Sequence, residues 1–94
     1  MTEFTLTDSD PVREIDLGLS QALTVTNLAL TAVAVHLELD LNGIWSSAIR
    51  AGAGYTNPIT LQSGATKVVA KKFLESEHVR VKIDGDGAKV KFRF

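Results

Sequence analysis

The stretch VAVHLELDLNG, residues 33–43, decides the fold class. Val33, Val35, Leu37, Leu39 and Leu41 alternate with Ala34, His36, Glu38 and Asp40, so every second side chain is apolar. A period of two with one apolar face marks a half-buried antiparallel strand. A helix would repeat its apolar positions every three to four residues. Asn42-Gly43 follows at once. A tight hairpin turn needs positive φ at both central positions, which Asn and Gly tolerate best. The chain is therefore expected to reverse there, with residues 44–49 running back as the partner strand.

The same period recurs on either side. Ile15, Leu17 and Leu19 alternate, as do Leu23 and Val25, and a turn is expected at Asn27 or within residues 28–32. Ile59 and Leu61 form a short strand after Pro58, Gln62-Ser63-Gly64-Ala65 turns, and Lys67–Phe73 continues as strand. Residues 73–78 have room for one helical turn. In VRVKIDGDGAKVKFRF, residues 79–94, Val79, Val81 and Ile83 face inward, Asp84–Gly87 turns, and Ala88, Val90, Phe92 and Phe94 return inward. Nowhere does a helical stripe appear. The expected fold is all-β, an antiparallel two-sheet β-sandwich of roughly six to eight short strands, with immunoglobulin-like and jelly-roll topologies both open. The expected core is Leu17, Leu19, Val25, Val33, Val35, Leu37, Leu39, Leu41, Ile59, Leu61, Val79, Val81, Ile83, Val90 and Phe92.

Ninety-four residues make one domain, 1–94, with a modest core. Residues 1–14 offer only Phe4, Leu6 and Val12 for burial and are expected as an extended acidic arm or a donated edge strand. There is no cysteine, which excludes disulfides, thiolate metal sites and a cysteine nucleophile. The N-terminus has neither the basic nor the apolar region of a signal peptide, so synthesis in the cytoplasm is expected. The apolar run at residues 28–35 is too short to cross a bilayer.

Charge is divided along the chain. Residues 1–47 hold seven carboxylates against Arg13 alone, and residues 48–94 hold nine cations against four carboxylates. Five of those cations, Arg80, Lys82, Lys89, Lys91 and Arg93, fall on the polar positions of residues 79–94. If these residues form a flat hairpin, like charges stand opposite one another, which destabilises a strand pair. An acidic strand beside them, free solvation, or an acidic partner must offset that cost.

No constellation of residues points to catalysis. Ser46, Ser47 and Ser63 lack a nucleophile-elbow context. AGAGYTNP, residues 51–58, lacks the Lys-Ser/Thr of a phosphate loop and reads as a flexible connection. His36, Glu38 and Asp40 lie about 7 Å apart along one strand, so they offer a metal ion at most two ligands, and no second cluster supplies the rest. Asp84-Gly85-Asp86-Gly87 resembles the start of a calcium loop but lacks the downstream ligands. No cofactor is expected. Trp45 and Tyr55 flank one loop region and form a candidate sugar-stacking platform. The sequence argues against nucleic acid, because no aromatic is interleaved on the basic face.

LTVTNLALTAVAVHLELDLNG, ITLQSGATKVV and the closing VRVKIDGDGAKVKFRF together resemble a compact immunoglobulin-like module. In texture the chain is similar to small bacteriophage virion proteins, the head-decoration and tail-associated β-sandwiches. The charge division and the lack of a catalytic constellation point to a non-enzymatic structural protein that self-associates, as a homo-oligomer, or docks onto a larger particle, and the resemblance implies a virion as that particle. From the charge division, the residues expected to carry the contact are the acidic Asp8, Asp10 and Glu14 and the basic Arg80, Lys82, Lys89, Lys91 and Arg93. A small ligand- or carbohydrate-binding module is the alternative.

Overall fold

A computed structural model describes residues 1–94. Nine strands form: β1 (Glu3–Thr7), β2 (Val12–Asp16), β3 (Ala22–Asn27), β4 (Val33–Leu41), β5 (Ile44–Ser47), β6 (Ile59–Leu61), β7 (Thr66–Ala70), β8 (His78–Asp84) and β9 (Lys89–Arg93). One 3-10 turn, Lys71–Phe73, follows β7. The first sheet has the order β1-β9-β3-β7. The second has β2-β8-β4-β5, with β6 also paired to β4. All pairings are antiparallel. The fold is the expected all-β two-sheet sandwich.

The pairs are nested. β1 meets β9, β2 meets β8, β3 meets β7, and β4 meets β5 and β6. The chain is thus one long antiparallel hairpin, rolled so that β3 touches β9 and β4 touches β8. That strand order is a jelly roll. An immunoglobulin sandwich would keep its last two strands in one sheet. Here β8 and β9 lie in opposite sheets, so the immunoglobulin-like topology does not hold.

Alternation decides what is buried. The inward residues of β4, Val33, Val35, Leu37 and Leu39, pack with Val79, Val81 and Ile83 of β8 and with Leu6, Leu23, Val25, Val69, Val90 and Phe92 of the first sheet. Asn42 and Gly43 have φ of 56° and 86°, the paired positive values expected for this turn. Two expected core residues lie outside. Leu19 is 96% exposed because the alternation of β2 stops at Leu17, and the chain turns at Gly18. Leu41 is 54% exposed because the β4–β5 hairpin runs past the end of the core, leaving Ile44 bare as well. Residues 1–14 are not an arm. β1 and β2 each add an edge strand to this chain's own sheets, and Leu6 is fully buried. This raises the strand number above the six to eight expected.

One buried polar residue ties an end of the roll. Asn27 is fully buried, and its Nδ2 donates to Thr31 O and Leu61 O, both at 2.9 Å. Its Oδ1 accepts from Ala29 N at 2.8 Å. Asn57 acts similarly on β4, accepting from Leu37 N at 3.2 Å and donating to Leu37 O at 3.0 Å. Its side chain supplies the partner that Leu37 N lacks in the gap between β5 and β6, and shares Leu37 O with Ala48 N, which donates at 2.8 Å.

Candidate functional site

The five cations of residues 79–94 do not share a face. The Asp84–Gly87 turn carries the chain from one sheet to the other, so Arg80 and Lys82 lie outside the second sheet and Lys89, Lys91 and Arg93 lie outside the first. The opposition of like charges that troubled a flat hairpin is thereby removed.

On the second sheet, β8 runs between two acidic strands. Arg80 is in register with Glu14 of β2 on one side and Glu38 of β4 on the other. Its Nη2 and Nε both donate to Glu38 Oε1, at 2.9 and 3.2 Å. Its guanidinium lies 4.0 Å from the Trp45 ring centroid, a cation–π contact. His36 Nε2 meets Asp84 Oδ2 at 2.8 Å. Lys82 sits between Val12 and His36. Asp16 Oδ1 accepts from Gly18 N and Asp40 Oδ1 from Gly43 N, at 2.9 and 2.7 Å, so both carboxylates cap turns. Glu14, Asp16 and Asp40 have no cation within ion-pair distance.

On the first sheet, the cations alternate with the buried Val90 and Phe92 of β9. Lys91 stands between Thr5 and Thr26, Arg93 between Glu3 and Thr24, and Lys89 opposite Thr7. Thr26 Oγ1 and Thr66 Oγ1 are hydrogen-bonded at 3.0 Å on the next strand. None of the three cations enters an ion pair. The result is a stripe of positive charges about 7 Å apart along an inner strand, with threonine hydroxyls on both sides of Lys91 and on one side of Lys89 and Arg93.

The expected acidic cluster is dispersed. Asp8 Oδ2 accepts from Gly87 N at 2.9 Å and fastens the β1–β2 turn to the β8–β9 turn. Asp10 lies in the β1–β2 turn, where its backbone bridges Thr7. Only Glu14 stands on a sheet face. The Trp45–Tyr55 platform is not formed. Trp45 is on the outer face of the second sheet under Arg80, whereas Tyr55 reaches the first sheet, donating to Val68 O at 3.1 Å and packing edge-on against Phe73. The 51–58 loop that carries Tyr55 thus covers the edge of β7.

A cleft at one end of the roll is lined by Gln21, Arg50, Lys71, Lys72, Glu75 and Glu77. Arg50 pairs with Glu75 at 3.6 Å and Lys71 with Glu77 at 3.3 Å, so its charges are largely matched. No group of three His, Cys, Asp or Glu side chains gathers at metal-binding distance. No helix is long and apolar enough to cross a membrane. No family model, curated protein or solved structure matches this chain.

Proposed function

We propose that this chain is a non-enzymatic assembly subunit, docking through the basic outer face of its first sheet onto an acidic protein surface. The observation that carries the proposal is the unpaired stripe Lys89, Lys91 and Arg93, set among threonines on the middle of a sheet. At Arg80 the fold offsets a strand cation with a carboxylate of the neighbouring strand. At Lys89, Lys91 and Arg93 no carboxylate comes within ion-pair distance, although like charges on one strand repel and their long side chains are costly to order. A stripe on a flat, exposed sheet fits a broad macromolecular surface better than a small molecule, which needs a concave, mostly apolar pocket. A subunit added to a larger particle, the role the sequence resembles, is one setting for such a surface.

Light scattering after gel filtration tests the reading, at low salt and at about 0.5 M salt, where the Debye length falls to roughly 4–5 Å. The expected result is a mass above one chain at low salt that falls with added salt. Lys89→Glu/Lys91→Glu should lower the low-salt mass while leaving the far-UV circular dichroism unchanged. A single-chain mass for the wild type at both salts would overturn self-association, and a variant mass equal to wild type would remove the basic face from the contact.

A further inference from the structure

The two outer faces carry charge of opposite sign. On the first sheet three unpaired cations, Lys89, Lys91 and Arg93, stand against the single carboxylate of Glu3. On the second sheet three carboxylates without ion pairs, Glu14, Asp16 and Asp40, stand against the single unpaired cation of Lys82. The repeats also agree. Glu14 and Asp16 occupy alternate positions of β2, and Lys89, Lys91 and Arg93 alternate positions of β9, so both series advance about 7 Å per charge. An acidic strand can therefore lie along the basic one with charge set against charge over two successive pairs.

Accepting the basic face as the docking surface, we infer that its partner is a second copy of this chain, presenting the outer face of its β2-β8-β4-β5 sheet. The contact is front to back. Two first-sheet faces would bring like stripes together, as would two second-sheet faces, so a two-fold dimer through either face is disfavoured. A front-to-back contact leaves one face of each sign unused on every pair. It therefore continues, as a closed ring where the rotation between copies permits and otherwise as an open stack. Trp45, half-buried under Arg80 at the acidic face, and Val68, exposed beside Thr24 on the basic face, supply apolar area to the contact.

Mixing two association-defective variants tests the inference. Lys89→Glu/Lys91→Glu keeps only the acidic face. Glu14→Gln/Asp16→Asn/Asp40→Asn keeps only the basic face, and its asparagines retain the oxygen that caps each turn. Each variant alone should run as one chain, with its association constant lowered about tenfold or more. An equimolar mixture should form a dimer of one chain of each kind and nothing larger, because the dimer has only defective faces left. If the triple variant is unfolded by circular dichroism, Glu14→Gln/Asp16→Asn replaces it. A mixture that stays at one-chain mass, while the wild type associates in a salt-sensitive way, overturns the second sheet as partner and leaves the basic face standing. So does a triple variant that associates like the wild type. A wild type that stays at one-chain mass at low salt overturns the second copy as partner and leaves the basic face to a different acidic protein.

Discussion

Replacing Asn27 by alanine should be among the costliest single changes in this protein. The side-chain amide is fully buried and makes three hydrogen bonds, to Thr31 O, Leu61 O and Ala29 N. Two of these, to Leu61 O and Ala29 N, lie in buried surroundings. A buried partner left unsatisfied costs about 1–3 kcal/mol, and the part-buried bond to Thr31 about 1 kcal/mol. The expected loss is therefore about 3–7 kcal/mol, a large share of the roughly 5–15 kcal/mol that holds a small domain folded. In urea, with a slope near 1–2 kcal/mol per molar for a chain of this size, the midpoint should fall by about 1.5 M or more with the slope unchanged. Asn27→Leu, which keeps most of the volume, should lose nearly as much, because the same three backbone groups remain unpaired. A loss below about 1 kcal/mol for Asn27→Ala would show that water reaches these groups and that the amide is no keystone. Recovery of stability in Asn27→Leu would show that the alanine result measured a cavity instead.

Three further outcomes follow from the geometry. A double-mutant cycle on Glu38→Gln and Arg80→Gln should give a coupling of about 1–2 kcal/mol, since both side chains are mostly buried and the guanidinium uses two nitrogens; additive single losses would refute the pairing. Arg80→Gln should also change the intrinsic fluorescence of Trp45, the one tryptophan, by removing the cation 4.0 Å from its ring; an identical spectrum would place Arg80 elsewhere. Gly43→Val should cost about 1–2 kcal/mol by thermal denaturation, because a β-branched residue is strained at φ of 86°.

The sequence states which side of each strand is buried, but not which sheet the strand joins. The alternation of β4 and the Asn42-Gly43 turn are local signals, and both appear where expected. β8 and β9 were equally legible as strands. Their separation into two sheets was not, because Asp84–Gly87 can close a hairpin or span the roughly 10 Å between packed sheets. One signal was present. Five like charges facing one another across a flat hairpin would be destabilising, and the crossing removes that conflict. Leu19 and Leu41 fit the alternation but lie beyond the ends of the core, a limit set by the partner sheet. Asn27 looked like a turn residue; its burial depends on Leu61, distant in sequence. The nested pairing also accounts for the charge division along the chain, since acidic β2 and β4 from the first half border basic β8 from the second.

The position of β9 has a consequence for how the protein is made. β9 is the last of the nine strands to leave the ribosome, yet it is an inner strand of its sheet. Until it emerges, β1 has no neighbour within its sheet, and β3 has only β7. The buried side of β1, with Phe4 and Leu6, has no strand partner until β9 emerges. Folding of the first sheet is thus completed after β9 is released, by inserting it between two waiting strands. A nascent chain arrested before Lys89 should remain protease-sensitive along β1 and β3, however well the β4–β5 hairpin has formed.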